Sequence, residues 1–274
     1  MTAIEICPTS LSFIFKSCLP AGSIGVGCTL NKTVKAIVQS GKKTSIFFNG
    51  KPIHFPTIEY ALSPVTAKPT IVEIKSPLPL GYGFGVSAAA TLASLFAVNK
   101  LFSLHEKRER LIKLAHIAEI KNKTGLGSVA TQVTGGFLIK AAPGVPVTSV
   151  TKLPFVGKKL YAILIDRLET PSVLKNKAHL KRINKAAAEA LQMIQSKSDI
   201  FLEDVIDIAY QFTYKSKLLT HPAVSSIIKK IKASGGHATM AILGQVVITT
   251  SKPNFPTNYQ VEELIISDKT MLML

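Results

Sequence analysis

The sequence predicts an α+β protein built as two lobes. Three observations carry that expectation. Strand patterns dominate up to Ser76, a Pro/Gly loop then opens a helical stretch, and from Lys159 onward the order reads β-α-α-α-β-β-β. At 274 residues and 29.5 kDa the chain is long enough for one large domain or two fused ones. Apolar residues are 47% and charged residues 18%, which supplies a core and excludes disorder as the main state.

The elements follow in order. Residues 11–17 read as a strand. Residues 34–39 and 44–49 read as a hairpin turning across Ser40–Lys43, and 57–62 and 70–76 as two further strands. Residues 76–85, SPLPLGYGFG, hold too much Pro and Gly for regular structure. Helices are expected near 86–102 and 107–123, broken by Gly125 and Gly127, with a strand resuming in GGFLIKAA. Residues 143–154 read as a connector, which divides the chain into 1–150 and 151–274. Beyond it come strand 159–166, helices near 172–196, 199–217 and 222–233, a hairpin turning at Gly244-Gln245, and a closing strand over 261–267. No internal repeat is present.

Composition narrows the function classes. The longest weakly polar run, 88–98, is too short to span a bilayer, and MTAIEICPTS has no secretory pattern. Cys7, Cys18 and Cys28 form neither a CxxC pair nor an even disulfide framework, so a reduced cytoplasm is the expected location. Lys plus Arg exceeds Asp plus Glu by 33 − 16 = 17. That excess reads either as a nucleic-acid surface or as the lysine usage of an enzyme handling anionic ligands. The lysines are scattered and no aromatic residues interleave with the densest stretch, 175–185, so a dedicated nucleic-acid partner is not expected. With five aspartates in the chain, a mechanism needing a carboxylate base has few candidates.

The most informative segment is PLPLGYGFGVSAAATLASLF. Gly81, Gly83 and Gly85 alternate directly into a helix that begins Val86-Ser87-Ala88-Ala89. Glycines let backbone approach a ligand, and a helix start offers unpaired N–H groups to a phosphate. By spacing alone this is either an anion site or a plain loop-to-helix joint. It is neither a Walker A loop nor the dinucleotide pattern.

The run Pro79-x-x-x-Gly83-Phe84-Gly85-Val86-Ser87-Ala88-Ala89 resembles the phosphate-binding motif of the GHMP kinases. Two further runs are similar to archaeal pantoate kinases: CPTSLSFIFKSCLPAGSIGVGCTLNKTV, with a Gly22-Ser23-x-Gly25-x-Gly27 loop, and AHIAEIKNKTGLGSVATQVTGGFLIKAAPGVP. The three occur in register over about the first 150 residues. LETPSVL and GGHATMAILG extend the likeness more loosely.

The resemblance implies a ribosomal-protein-like N-terminal lobe that binds ATP and a ferredoxin-like C-terminal lobe. It implies phosphorylation of a small hydroxy acid, pantoate to 4-phosphopantoate in coenzyme A synthesis, with ATP and Mg²⁺ required. Homoserine- or mevalonate-type substrates are the alternatives. ATP would lie on Pro79, Gly81, Gly83, Gly85, Val86, Ser87, Ala88 and Ala89, and a side chain at Gly85 would crowd its phosphates. The acceptor would meet Gly22, Ser23, Gly25 and His237, and Ser87 with Glu119 would hold the metal. Read by spacing alone, Glu119 is a solvated helix carboxylate and His116, on the same helix, a packing residue.

Two positions depart from the family pattern. Ser128 stands where many members carry the aspartate assigned as catalytic base, and Ile24 where pantoate kinases tend to carry an arginine suited to a substrate carboxylate. Asp166, at a strand end, is the substitute base the chain offers, unless it merely pairs with Arg167. A kinase-like nucleotide-binding protein without turnover therefore stays open, as does a homodimer.

Overall fold

The computed structural model describes residues 1–168, 177–255 and 257–273. Two long strands, β1 (Thr2–Ser17) and β2 (Ser23–Ser40), form an antiparallel hairpin whose turn holds the Gly22 loop. β3 (Ser45–Phe48) and β4 (Lys51–Pro52) follow, then helix α1 (Pro56–Leu62) and β5 (Thr70–Lys75). Helices α2 (Val86–Leu101), α3 (Arg108–Asn122) and α4 (Ser128–Thr134) lead into β6 (Phe137–Lys140) and β7 (Val150–Leu153). The second half is β8 (Lys159–Asp166), α5 (Lys177–Gln195), α6 (Leu202–Lys215), α7 (Pro222–Ala233), β9 (Ala238–Met240), β10 (Gln245–Thr249) and β11 (Gln260–Ser267).

The two halves share one sheet, in the order β4-β3-β5-β2-β11-β8-β10-β9, with β1 and β6 also paired to β2. The join is short. Ile266 and Ser267 of β11 pair with Leu30 and Thr29 of β2, while the rest of β11 pairs with β8. This is the expected two-lobed α+β plan. α2 is apolar all round, with Ala88, Ala89, Ala90, Leu92 and Leu95 wholly buried, so it runs through the core of the first half. Among the described residues no helix is long and apolar enough to cross a membrane.

Several local expectations are corrected. β2 and β3 do not form a hairpin. β5 inserts between them, antiparallel to β2 and parallel to β3. The link after Ser40 is held instead by Gly41 N–H donating to the Pro69 carbonyl. Residues 57–62, read as a strand, are helix α1. Pro56 sits in its first turn, and the buried set Thr57, Ile58, Ala61 and Leu62 follows a helical spacing. The segment after Gly127 starts with helix α4, and the connector over 143–154 contains β7, which pairs with β6. The helix expected from 172 is described from Lys177; its start and most of LETPSVL lie outside the described residues.

Candidate active site

The Gly81–Gly85 loop ends at Gly85, which caps α2 in the left-handed region with φ 62°. No side chain caps this helix start, so its first N–H groups remain available to an anion. Gly83 is bare for a packing reason. A Cβ there would lie 2.8 Å from the Ile242 carbonyl oxygen, so only glycine lets the turn between β9 and β10 close over the loop. The segment just after β8 is tied to the same loop, since Leu168 N–H donates to the Gly81 carbonyl at 2.9 Å.

A cleft opens over this loop. It is lined by Pro79, Gly81, Gly83, Gly85, Val86 and Ser87 on one side, Glu119 and the 124–128 turn on another, and Ser12, Ser23, Ile242 and Leu243 around the rim. Ala88 and Ala89 are buried behind it. A second cavity, walled by Ile53, Phe55, Pro56 and Leu168, shares Leu80, Gly81, Ser87 and Thr124 with the cleft. The two form a chamber that carries Glu119, with a more apolar annex.

Glu119 sits at the floor, 3% exposed. Its Oε1 accepts hydrogen bonds from Ser87 Oγ at 2.6 Å and Thr124 Oγ1 at 2.9 Å. Burial pushes its carboxyl up to about 7, against the pull of those two donors. No cation pairs with it among the described residues. The solvated-carboxylate reading is therefore wrong for this residue. Two hard oxygen donors meeting on an uncompensated carboxylate suit Mg²⁺, which takes one or two carboxylates and completes its shell with phosphates and water. No protein-only cage of three or more His, Cys, Asp or Glu exists among the described residues.

Ser128 opens α4 on the cleft wall, and its hydroxyl has no protein hydrogen-bond partner among the described residues. Gly22 and Ser23 lie beside α3. His116 Nε2 is 3.0 Å from the Ala21 carbonyl, and its ring fills the space that a Gly22 Cβ would need. Burial holds the His116 ring below the usual histidine range, the Ala21 contact pulling the other way and the positive charge of Lys140 adding to the depression. His116 thus packs and orients the Gly22 turn. Gly25 pairs with Phe15 and Lys140 inside the sheet and leaves no room for a side chain against the Ile14 carbonyl.

Of the residues expected to act as base or to meet the acceptor, Ser128 and Ser23 line the cleft, whereas Gly22, Gly25, Asp166 and His237 do not. Asp166 is exposed and accepts the Arg167 N–H at 2.7 Å. His237 binds Asp207 through Nδ1 at 2.7 Å, and Lys232 binds the same carboxylate. The part of that glycine-flanked stretch that touches the phosphate loop is the turn at Ile242–Gly244, five residues further on.

Sequence reasoning missed Lys140. It is 4% exposed, and its Nζ donates to the Gly127 carbonyl at 2.7 Å and Thr131 Oγ1 at 3.0 Å. Burial brings its ammonium down to about 8, and no carboxylate pairs with it among the described residues. A Cβ on Gly127 would lie 2.8 Å from Lys140 Nζ and 2.7 Å from Ser23 Oγ, so both groups face one point behind Ser128. The available signal was strand parity, because Lys140 falls in phase with buried Leu138.

The sequence profile described as GHMP kinases N terminal domain matches residues 55–136. The pantoate kinase of Methanocaldococcus jannaschii is 29% identical over 241 residues, covering 85% of each chain. That of Thermococcus kodakarensis is 31% identical, covering 83% of this chain and 78% of the other. Among solved structures, a phosphotransferase related to the CoA biosynthesis pathway superposes with a TM-score of 0.83 at 23% identity, over 98% of this chain and 97% of that one. The mevalonate kinase of Methanococcus jannaschii superposes with a TM-score of 0.66 at 16% identity, over 97% and 98%.

Proposed function

The chain belongs to the pantoate kinases of the GHMP kinase superfamily, and on that premise we propose that it transfers the γ-phosphoryl group of ATP to the terminal hydroxyl of pantoate. The observation that carries the reading is the convergence, in one cleft, of an uncapped helix start and the Ser87–Glu119 pair, with a buried cation, Lys140, directly behind the Gly127 wall. The triphosphate lies on the Gly81–Ala89 segment and the purine in the apolar annex beside Phe55 and Leu80. The acceptor enters past Ser23. Its carboxylate faces the Ser23–Gly127 wall, where the charge of buried Lys140, seated behind Gly127, stands in for the arginine that Ile24 replaces.

In the transfer the acceptor oxygen bonds to the γ-phosphorus as the bond to the β-phosphate oxygen breaks, and ADP leaves. Ser87 and Glu119 would hold Mg²⁺, whose charge screens the phosphates. Glu119 is the one carboxylate among the described cleft-lining residues, so with Ser128 in place of an aspartate no free base faces the acceptor. A loose phosphoryl transition state tolerates this. The hydroxyl proton leaves late, to a phosphate oxygen or to water, and the chain contributes position and charge neutralisation.

In this reading residues 1–150 carry the nucleotide site, and 151–274 form the second lobe that closes on it through Ile242 and Leu243. A cytoplasmic location belongs to it, as does the view that the net charge of +17 serves anionic small ligands rather than a nucleic-acid groove. The test is ADP release from ATP and Mg²⁺ with a panel of pantoate, homoserine and mevalonate. Pantoate alone should support turnover. ATP-induced thermal stabilisation without turnover on any acceptor would favour a binding protein instead.

A further inference from the structure

Beneath the phosphate loop, on the side away from the cleft, the wholly buried side chain of Gln132 makes contacts that the transfer chemistry leaves unused. Its Nε2 donates to the Gly85 carbonyl at 2.8 Å and to Ser10 Oγ at 3.2 Å, so both amide protons are spent on this one junction. The Gly85 oxygen also accepts the first helical bond of α2, from Ala89 N–H at 3.0 Å. Ser10 N–H donates to the Phe84 carbonyl at 3.0 Å. The peptide joining Gly85 to Val86 is planar and trans, so its carbonyl and its N–H point in opposite directions. Holding the oxygen from below therefore aims the Val86 N–H out of the other side of the peptide, where Val86 lines the cleft.

Gln132 also lies four residues after Ser128 on α4, on the same helix face. One short helix thus meets the acceptor side with its first residue and the phosphate loop with its fifth. The C-terminal segment braces it, since Met271 N–H donates to the Gln132 carbonyl at 3.0 Å.

We infer that Gln132 is a positioning residue for the nucleotide, fixing the Gly85 peptide and with it the spacing between the phosphate loop and the acceptor wall. The inference rests on the cleft being the ATP site. Gln132→Met keeps the side chain's length and removes both donors. ATP affinity, read by calorimetric titration, should fall about tenfold, the loss expected for a buried hydrogen bond left unmade. The KM for the acceptor should stay unchanged. A purely structural role would lower stability alone, so Thr134→Val is the control. That hydroxyl bonds to the Ala130 carbonyl within α4 at 2.7 Å and does not touch the loop. This variant should lower the unfolding midpoint and leave ATP affinity intact. Should Gln132→Met not fold, Ser10→Ala removes one acceptor of the same amide and should weaken ATP about threefold. Wild-type ATP affinity in a folded Gln132→Met or Ser10→Ala protein overturns the inference. Equal loss of ATP affinity in Thr134→Val overturns it too, because the effect would then be general to α4. No ATP binding by the wild-type chain would instead remove the nucleotide reading, and this inference with it.

Discussion

Ser87 Oγ donates to Glu119 Oε1 at 2.6 Å, joining the first turn of α2 to the last turn of α3 across the floor of the cleft. Thr124 donates to the same oxygen and is itself 3.2 Å from Thr57 Oγ1 in α1. Three helices are thereby fastened to one carboxylate that pairs with no cation among the described residues. Such a group costs stability while the site is empty and becomes favourable when a metal arrives.

Glu119→Gln should therefore separate structure from chemistry. The amide keeps an oxygen for Ser87 and Thr124, so the fold should persist and ATP alone should still bind. Turnover should fall by about 10²-fold or more, since a neutral amide holds Mg²⁺ poorly. Steady-state kinetics against Mg²⁺ concentration check this. Wild-type turnover and Mg²⁺ dependence would reduce Glu119 to a structural clasp.

Ser128→Ala removes a hydroxyl that has no protein partner among the described residues. The expected loss is about tenfold in kcat, roughly 1.4 kcal/mol of positioning. Asp166→Asn should change kcat by less than about twofold, because Asp166 faces solvent and the Arg167 N–H. Loss of about 10²–10⁴-fold in Asp166→Asn, the range for removing a general base, would mean the second lobe closes much further than this structure shows.

Lys140→Met should trade function for stability. The folded-state ammonium is brought from 10.5 to about 8, so between those values the unfolded chain binds the extra proton. Wild-type stability should rise with pH across that window, relative to the variant, by about 2–3 kcal/mol between pH 7 and 10. At pH 7 the variant should be as stable as wild type or more so, while its acceptor KM rises at least tenfold and its KM for ATP stays unchanged. Denaturant unfolding at several pH values and acceptor saturation curves test the two halves separately. A pH-independent stability difference would show that Lys140 folds as an ordinary charged group.

Gly85→Val was expected to crowd the phosphates alone, and the structure changes that forecast. A Cβ there would run into Ser10 Oγ and lie 2.9 Å from Gln132 Nε2, beneath the loop, and the backbone φ is positive. The variant should lose several °C in unfolding midpoint even without nucleotide. Ser87→Ala is the cleaner probe of the phosphate side, with an expected drop in turnover and an intact fold. An unchanged midpoint in Gly85→Val would mean the loop relaxes into the cleft.

Features whose causes are local are legible from residue order. Alternating glycines before a run of alanines mark the start of α2, Pro222 marks the start of α7, and the apolar run over 159–166 is β8. The Ser87–Glu119 pairing came from the family resemblance alone, since spacing by itself reads Glu119 as a solvated helix carboxylate. The other features depend on long-range packing. A strand's partner depends on which neighbour buries its face, so β5 could part β2 from β3 without any trace near Ser40–Lys43. Residues 57–62 suit either period over so short a run, and packing against α2 and α3 settles them as helix. His237 and Ile242 are five residues apart, yet the hairpin puts one on Asp207 and the other on Gly83. Lys140 and Gln132 look ordinary in sequence. They acquire their roles only when folding strips their water and leaves one buried charge and one buried amide to be satisfied by whatever the loops bring near.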